Sequence, residues 1–255
     1  MQIIGYETAP VGDRPCARLA RGDGGLVEWI ELSPGTELSY GLGERHCAGT
    51  VADDGAHRRC PEPAAPYCET HTSRWPCARC TGECALPLSS CREEHAVYLA
   101  AFAPETFKVG VTRSWRLRTR LREQGADRAA HVRTVRNGRL ARQIEGQIAA
   151  EHGITDRVRL STKRRGFGRS VDDDAWTELL AEFDPIETHE FDYGLEIDRP
   201  PVAETVAAGS VRGTKGRLLV IERAGSTYAT DLRGLVGHEL LAEDGRALQA
   251  SFDAF

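Results

Sequence analysis

Lysine is scarce in this chain. Lys108, Lys163 and Lys215 are the only three, so nearly all of the 33 basic residues are arginine. The planar guanidinium fork suits bidentate phosphate contacts, although a GC-rich genome or salt adaptation produces the same bias. Long hydrophobic runs are lacking too. No stretch approaches the roughly 18 apolar residues of a membrane span, and the opening MQIIGYETAPVGD does not join a basic start to a long apolar run. The expectation is a soluble, cytoplasmic protein with no membrane partner. Common catalytic signatures are missing: there is no GxSxG, no HExxH and no Rossmann fingerprint. GTKGRLL (213–219) has neither the spacing of a phosphate loop nor a following helix, so Gly213 and Gly216 read as turn or bulge residues. His131, His152, His189 and His238 form no spaced metal set, and no obvious aromatic platform marks a single-strand binder.

The charge is unevenly spread. The formal net charge is -5, yet residues 108–142 hold eleven Lys and Arg against only Glu123 and Asp127. Arg113, Arg116, Arg118, Arg120 and Arg122 fall within ten residues. Such a strip in an otherwise acidic protein points to a local anionic partner, or to arginines pairing with the acidic remainder.

Seven of the eight cysteines lie between Cys47 and Cys91. Their spacings are Cys47-x12-Cys60-x7-Cys68-x2-His71 and Cys77-x2-Cys80-x3-Cys84-x6-Cys91. In a reducing compartment, short-spaced cysteines indicate structural zinc, because a tight knuckle presents two thiolates to one tetrahedral ion. Two sites account for the set, Cys47, Cys60, Cys68 and His71, then Cys77, Cys80, Cys84 and Cys91. One or two ions and a cross-braced pairing remain open, with His46, His57 or His95 able to replace His71 or Cys60. Cys16 reads as a small core residue.

The expected class is α+β, in four parts. Residues 1–45 form a β segment of two or three strands with a turn at Pro34-Gly35. Residues 46–92 are the zinc-ribbon-like Cys-rich segment. Residues 93–155 form a compact α/β unit: strand HAVYLAAF, hairpin partner ETFKVGVT, a helix capped by Ser114 and stopped by Gly125, a strand AAHVRTVRN turning at Asn137-Gly138, and a helix with Leu140, Ile144 and Ile148 on its buried face. Residues 156–255 supply a linker helix carrying Trp176 and a small C-terminal β module.

The pattern AVY (96–98), KVG (108–110), RTRL with Arg120, and ARQIEGQI with Glu145 resembles the GIY-YIG nuclease superfamily. There an antiparallel sheet carries paired tyrosines and the helices supply an arginine and a metal-binding glutamate. The second tyrosine is Lys108 here. HAVYLA, FKVGVTR, TRLREQGA and GTKGRLL resemble a prokaryotic family known as domain of unknown function 2797, over about Cys47 to His238. The superfamily resemblance implies a GIY-YIG-like antiparallel sheet with helices, and metal-dependent phosphodiester cleavage of DNA or RNA. Tyr98 would be a general base if its pKa falls, Lys108 and Arg120 phosphate ligands, with Arg118 competing for the arginine role, and Glu145 the ligand of one Mg²⁺ or Mn²⁺. Arg113, Arg116, Arg118 and Arg122 would track the nucleic-acid backbone. The rivals are a non-catalytic RNA- or DNA-binding module and a protein-interaction adaptor.

Overall fold

The computed structural model describes residues 1–8, 16–72 and 89–242, in an α+β architecture that is mostly sheet. Among the described residues of the first 45 are four strands, β1 (Gln2–Glu7), β2 (Arg18–Gly22), β3 (Glu28–Glu31) and β4 (Glu37–Arg45). The turn before β4 is the expected one, with Gly35 at φ +85° and the Thr36 amide donating to the Ser33 carbonyl at 3.0 Å. A short hairpin follows, β5 (Thr50–Val51) with β6 (His57–Arg58).

The central unit begins with β7 (His95–Phe102), β8 (Thr106–Arg113), α1 (Leu117–Gln124), β9 (Arg128–Val135) and α2 (Gly138–Glu151). Then come α3 (Leu160–Arg165), α4 (Asp173–Ala181) and β10 (Glu187–Glu190). The chain ends its described course with β11 (Val202–Ala203), β12 (Ala207–Lys215), β13 (Leu218–Arg223), β14 (Ser226–Asp231), α5 (Leu232–Leu235) and β15 (His238–Ala242).

Read from sequence, the N-terminal β segment and the C-terminal module stand apart. Hydrogen bonding joins them in one nine-stranded sheet, ordered β11-β14-β13-β12-β4-β15-β1-β2-β3. β12 pairs with β4, and β15 inserts between β4 and β1. Neither set of short strands could cover its own apolar face. Together they bury Ile3, Leu19, Leu38, Val211, Leu219, Ile221, Leu232 and Leu235 in one core.

The second sheet is antiparallel, ordered β10-β9-β7-β8. β7 is buried on both faces, and its alternation sorts two cores. Val97, Leu99 and Ala101 pack with Ala141 and Ile148 of α2, and with Trp176 of α4. Ala96, Tyr98, Ala100 and Phe102 pack with Leu117 and Leu121 of α1.

Two local expectations change. Ser114 does not cap α1: a 3-10 turn over Ser114–Arg116 precedes the helix, and the buried Ser114 hydroxyl has no hydrogen-bond partner among the described residues. Asn137-Gly138 is a helix start, not a turn. The Asn137 side chain caps α2 by accepting from the Leu140 amide at 2.8 Å. Gly138 packs under His95, where a Cβ would lie 2.9 Å from the ring Nε2. This sets the rotation of α2. Ala141, Glu145 and Ile148 face inward, while Leu140 is exposed. Gly125, at φ +68°, ends α1 as expected.

Candidate functional site

A cleft of about 770 Å³ opens where the central unit meets the nine-stranded sheet. Tyr98, Lys108, Arg120 and Glu145 all line it, although they come from four different elements. The pairing of β7 with β8 explains the first two. Tyr98 stands opposite Gly110 and Ala100 opposite Lys108, so Tyr98 and Lys108 share a sheet face. Gly110 leaves the space that the Tyr98 ring fills. Beyond α2, the chain returns along β8, where the Val109 amide donates to the Thr155 carbonyl at 3.0 Å. That contact carries Asp156 and the start of α3, with Lys163, to the opposite wall. Tyr6, Glu7 and Thr8 at the end of β1, with Arg217 in the β12–β13 turn, complete the lining.

The charges are arranged asymmetrically. Glu145, 7% exposed, accepts from Arg142 at 2.7 Å, and Glu123 accepts from Arg116 at 2.8 Å and Arg120 at 3.2 Å. Lys108, also 7% exposed, has no hydrogen bond or ion pair to a described residue. Burial, then the charge of Arg120, push its ammonium pKa down to about 8. Lys163 donates to the Gln124 carbonyl at 2.6 Å and sits over the Phe102 ring. Burial, then the charges of Lys108 and Arg217, push it down to about 7. Tyr98 goes the other way from the expectation of a lowered phenol. Burial raises its pKa above the ordinary value, against Arg120 and a short hydrogen bond from the Gln124 side-chain amide. A phenol in this setting stays protonated.

Cys47, Cys60, Cys68 and His71 form a second cluster, with their ligand atoms all within 4.8 Å of one another. The Cys47 Sγ–His71 Nδ1 and Cys68 Sγ–His71 Nδ1 distances are 3.4 and 3.3 Å, and Cys60 Sγ–Cys68 Sγ is 4.0 Å. A tetrahedral zinc with Zn–S and Zn–N bonds of about 2.3 and 2.0 Å requires separations of about 3.5–3.8 Å. The donor set therefore fits zinc. Backbone amides of Gly49 and Cys68 donate to Cys47 Sγ at 3.4 and 3.2 Å and orient the sulfur towards the other three donors. Burial of Cys68 opposes its ionisation, but hydrogen bonds from His71 and Cys47 lower its pKa to about 6. His46 and His57 bond elsewhere, to the Cys60 and Ala48 carbonyls, and His95 bonds to the Glu93 carbonyl. Of the second expected site, Cys77, Cys80 and Cys84 lie outside the described residues, and Cys91 is half-buried. Among the described residues, Glu145 belongs to no group of three or more metal-ligating side chains.

The sequence profile described as "Protein of unknown function (DUF2797)" matches residues 55–240, well over half of the chain. The chain belongs to this family. No curated protein and no solved structure matches it.

In this DUF2797 member, the stretches carrying the family resemblance converge around the cleft. HAVYLA supplies Tyr98, FKVGVTR supplies Lys108 and Gly110, and TRLREQGA supplies Arg120 and Gln124. The Gly125 of that last stretch abuts Gly216 of the distant GTKGRLL, where a Cβ on Gly216 would lie 2.6 Å from the Gly125 amide nitrogen. Lys215 beside it is buried and pairs with Asp127 at 2.5 Å. It locks the two sheets together and is not a surface cation.

The five clustered arginines do not form one face. Arg120 alone of them lines the cleft. Arg113 and Arg116 flank the Trp115 ring. Arg122 lies over Phe191, and the exposed Arg118 acts on His189, on the β10 side. The sequence reading missed Gln124 and Lys163. Gln124 carried a signal, its place in QGA; Lys163 carried none beyond membership of a basic strip. No helix among the described residues is long and apolar enough to cross a membrane.

Proposed function

We propose that the cleft of this DUF2797 protein holds the phosphates of a nucleic-acid strand. The observation that carries the reading is Lys108, a largely buried side chain whose ammonium makes no hydrogen bond or ion pair with a described residue and lines a cleft that also holds Arg120 and Lys163. A largely desolvated cation beside two others is costly, and a phosphate oxygen between them would offset that cost. The zinc-compatible Cys/His cluster is in keeping with a small nucleic-acid-binding fold, and the carboxylates of Glu145 and Asp156 act on Lys108 through space without forming an ion pair with it.

The finer reading is phosphodiester hydrolysis in a GIY-YIG-like unit. The β7–β8 hairpin with Tyr98 and Lys108, α1 with Arg120 and α2 with Glu145 support it. Glu145 would hold one Mg²⁺, which supplies charge neutralisation on the phosphate when bound. Arg120 grips non-bridging oxygens. Tyr98, protonated and already accepting from Gln124, donates a hydrogen bond to a phosphate oxygen. Lys108, near 8, and Lys163, near 7, are cleft groups that exist in both protonation states close to neutrality. Non-catalytic binding is favoured by a different observation, the capture of Glu145 by Arg142.

The test is a time course on labelled DNA and RNA with Mg²⁺ or Mn²⁺, comparing wild type with Glu145→Ala and Lys108→Gln. Cleavage lost in Glu145→Ala with binding retained supports the hydrolase. Salt-dependent binding without cleavage, lost in Lys108→Gln, supports the binding module. Binding that is indifferent to salt and to Lys108 overturns the phosphate reading.

A further inference from the structure

Trp115 is 70% exposed, in the turn that links β8 to α1, within the most cationic stretch of the chain. It is not a loose surface residue. Its indole N–H donates to Glu93 Oε2 at 3.1 Å, and the other oxygen of that carboxylate accepts from Arg113 at 3.3 Å. The Arg113 guanidinium lies 4.7 Å from the ring centroid, and that of Arg116 lies 5.9 Å away. The ring is thus fixed at its polar edge and has the Arg113 guanidinium stacked over it and that of Arg116 more distantly, while 70% of the residue stays open to solvent. Arg116 in turn reaches Glu123, which also holds Arg120 on the lining of the cleft. A cation–π contact from the indole to Arg116, then the Glu123 ion pairs of Arg116 and Arg120, therefore link the exposed indole to the proposed phosphate site. Along β8 and its turn, Lys108 and Trp115 are seven residues apart, roughly 20 Å at strand rise, a span of a few nucleotides.

A rigid, solvent-facing π-surface bracketed by guanidinium groups matches a nucleobase next to its phosphates. A base inside a duplex has both faces covered by its neighbours, so a side-on indole reaches only an unpaired one. We propose that Trp115 is a stacking platform for an unpaired base of a strand whose phosphates occupy the cleft, and that the protein thereby selects single-stranded nucleic acid. The proposal rests on the phosphate reading of the cleft.

Fluorescence anisotropy with the full chain tests it. The probes are labelled short oligothymidylate and oligouridylate, an abasic strand of the same charge, and a duplex of the same length. The proteins are wild type, Trp115→Ala, Trp115→Phe and Lys108→Gln. Trp115→Ala is expected to weaken base-bearing strands by about tenfold or more. It should leave the abasic strand and the duplex unchanged, while Trp115→Phe keeps most of the affinity. Lys108→Gln should weaken every probe. Equal binding of base-bearing strands by Trp115→Ala and wild type overturns the platform and leaves the phosphate site standing. An equal loss on the abasic strand overturns it too, by showing that charge or folding was changed instead. Wild type that binds no probe overturns the phosphate reading, and the platform with it.

Discussion

Tyr98 and Gly110 compete for one space: a Cβ on residue 110 would lie 2.5 Å from the Tyr98 hydroxyl and 2.6 Å from its ring carbon. The ring is buried and cannot swing away freely. Gly110→Ala is expected to displace it, lowering stability by about 1–3 kcal/mol and breaking the bond from Gln124. Urea unfolding of the variant measures the first effect and anion titration the second. An unchanged midpoint would show that the ring has room the structure does not provide.

Lys215 and Asp127 tie the nine-stranded sheet to the central unit. Asp127 also accepts from the Ala103 amide at 3.0 Å, so removing the lysine leaves its carboxylate half-satisfied. Lys215→Met should destabilise the chain by about 2–3 kcal/mol, less than for a fully buried pair because Asp127 is partly exposed. Replacing both partners, as Asp127→Asn with Lys215→Met, should recover part of that loss in equilibrium unfolding. A double variant no better than the single one would rule out an uncompensated carboxylate as the cause.

The Cys/His cluster is stapled to the large sheet. Tyr67 donates to the Ile4 carbonyl at 3.0 Å, and Gln2 donates to the Cys47 and Gly237 carbonyls. Cys68→Ser should lower the zinc content by one ion per chain, measured by elemental analysis, and lower the melting temperature. Chelation of the wild type should do the same, since metal-binding free energy is folding free energy in such units. Unaltered zinc in Cys68→Ser would remove this cluster as a zinc site.

Lys108 and Lys163 should make stability and, if the cleft holds phosphate as proposed, anion affinity respond oppositely to pH. Their folded-state pKa values, about 8 and about 7, lie below the 10.5 of a free lysine. Between those limits the unfolded chain binds more protons, so stability should rise as pH increases from about 7 towards 10. Phosphate binding should fall through pH 7–8 as the ammonium groups lose their charge. Lys108→Gln should flatten the upper part of both profiles. A wild-type affinity constant from pH 6 to 9 would show that these lysines do not meet the anion.

Much of the central unit is legible in the sequence. β7 and its hairpin announce themselves through eight residues of near-continuous apolar character and a matching partner, because a strand buried on both faces can hold little else. Gly125 declares the end of α1 through its left-handed backbone. The grouping of Cys47, Cys60, Cys68 and His71 into one zinc-compatible cluster follows from ligand count and spacing. On α2, Ile144 and Ile148 pack inward as expected, but Leu140 is exposed and Ala141 takes the inward place, because both residues fit a helical stripe equally well.

The sequence by itself determined the local elements and the types of donor available: thiolates at knuckle spacing, a tyrosine and a lysine on neighbouring strands, an arginine-rich turn. These are properties of periodicity and composition, readable over a few residues. Tertiary structure alone decided that strands from both ends of the chain share a sheet, that Gly125 meets Gly216, and that Lys163 joins Lys108 in one cleft. It also divided the clustered arginines among three surroundings and turned the Tyr98 pKa upward. Pairing across two hundred residues and desolvation by neighbours both depend on where the folded chain puts its groups, and no local pattern encodes either.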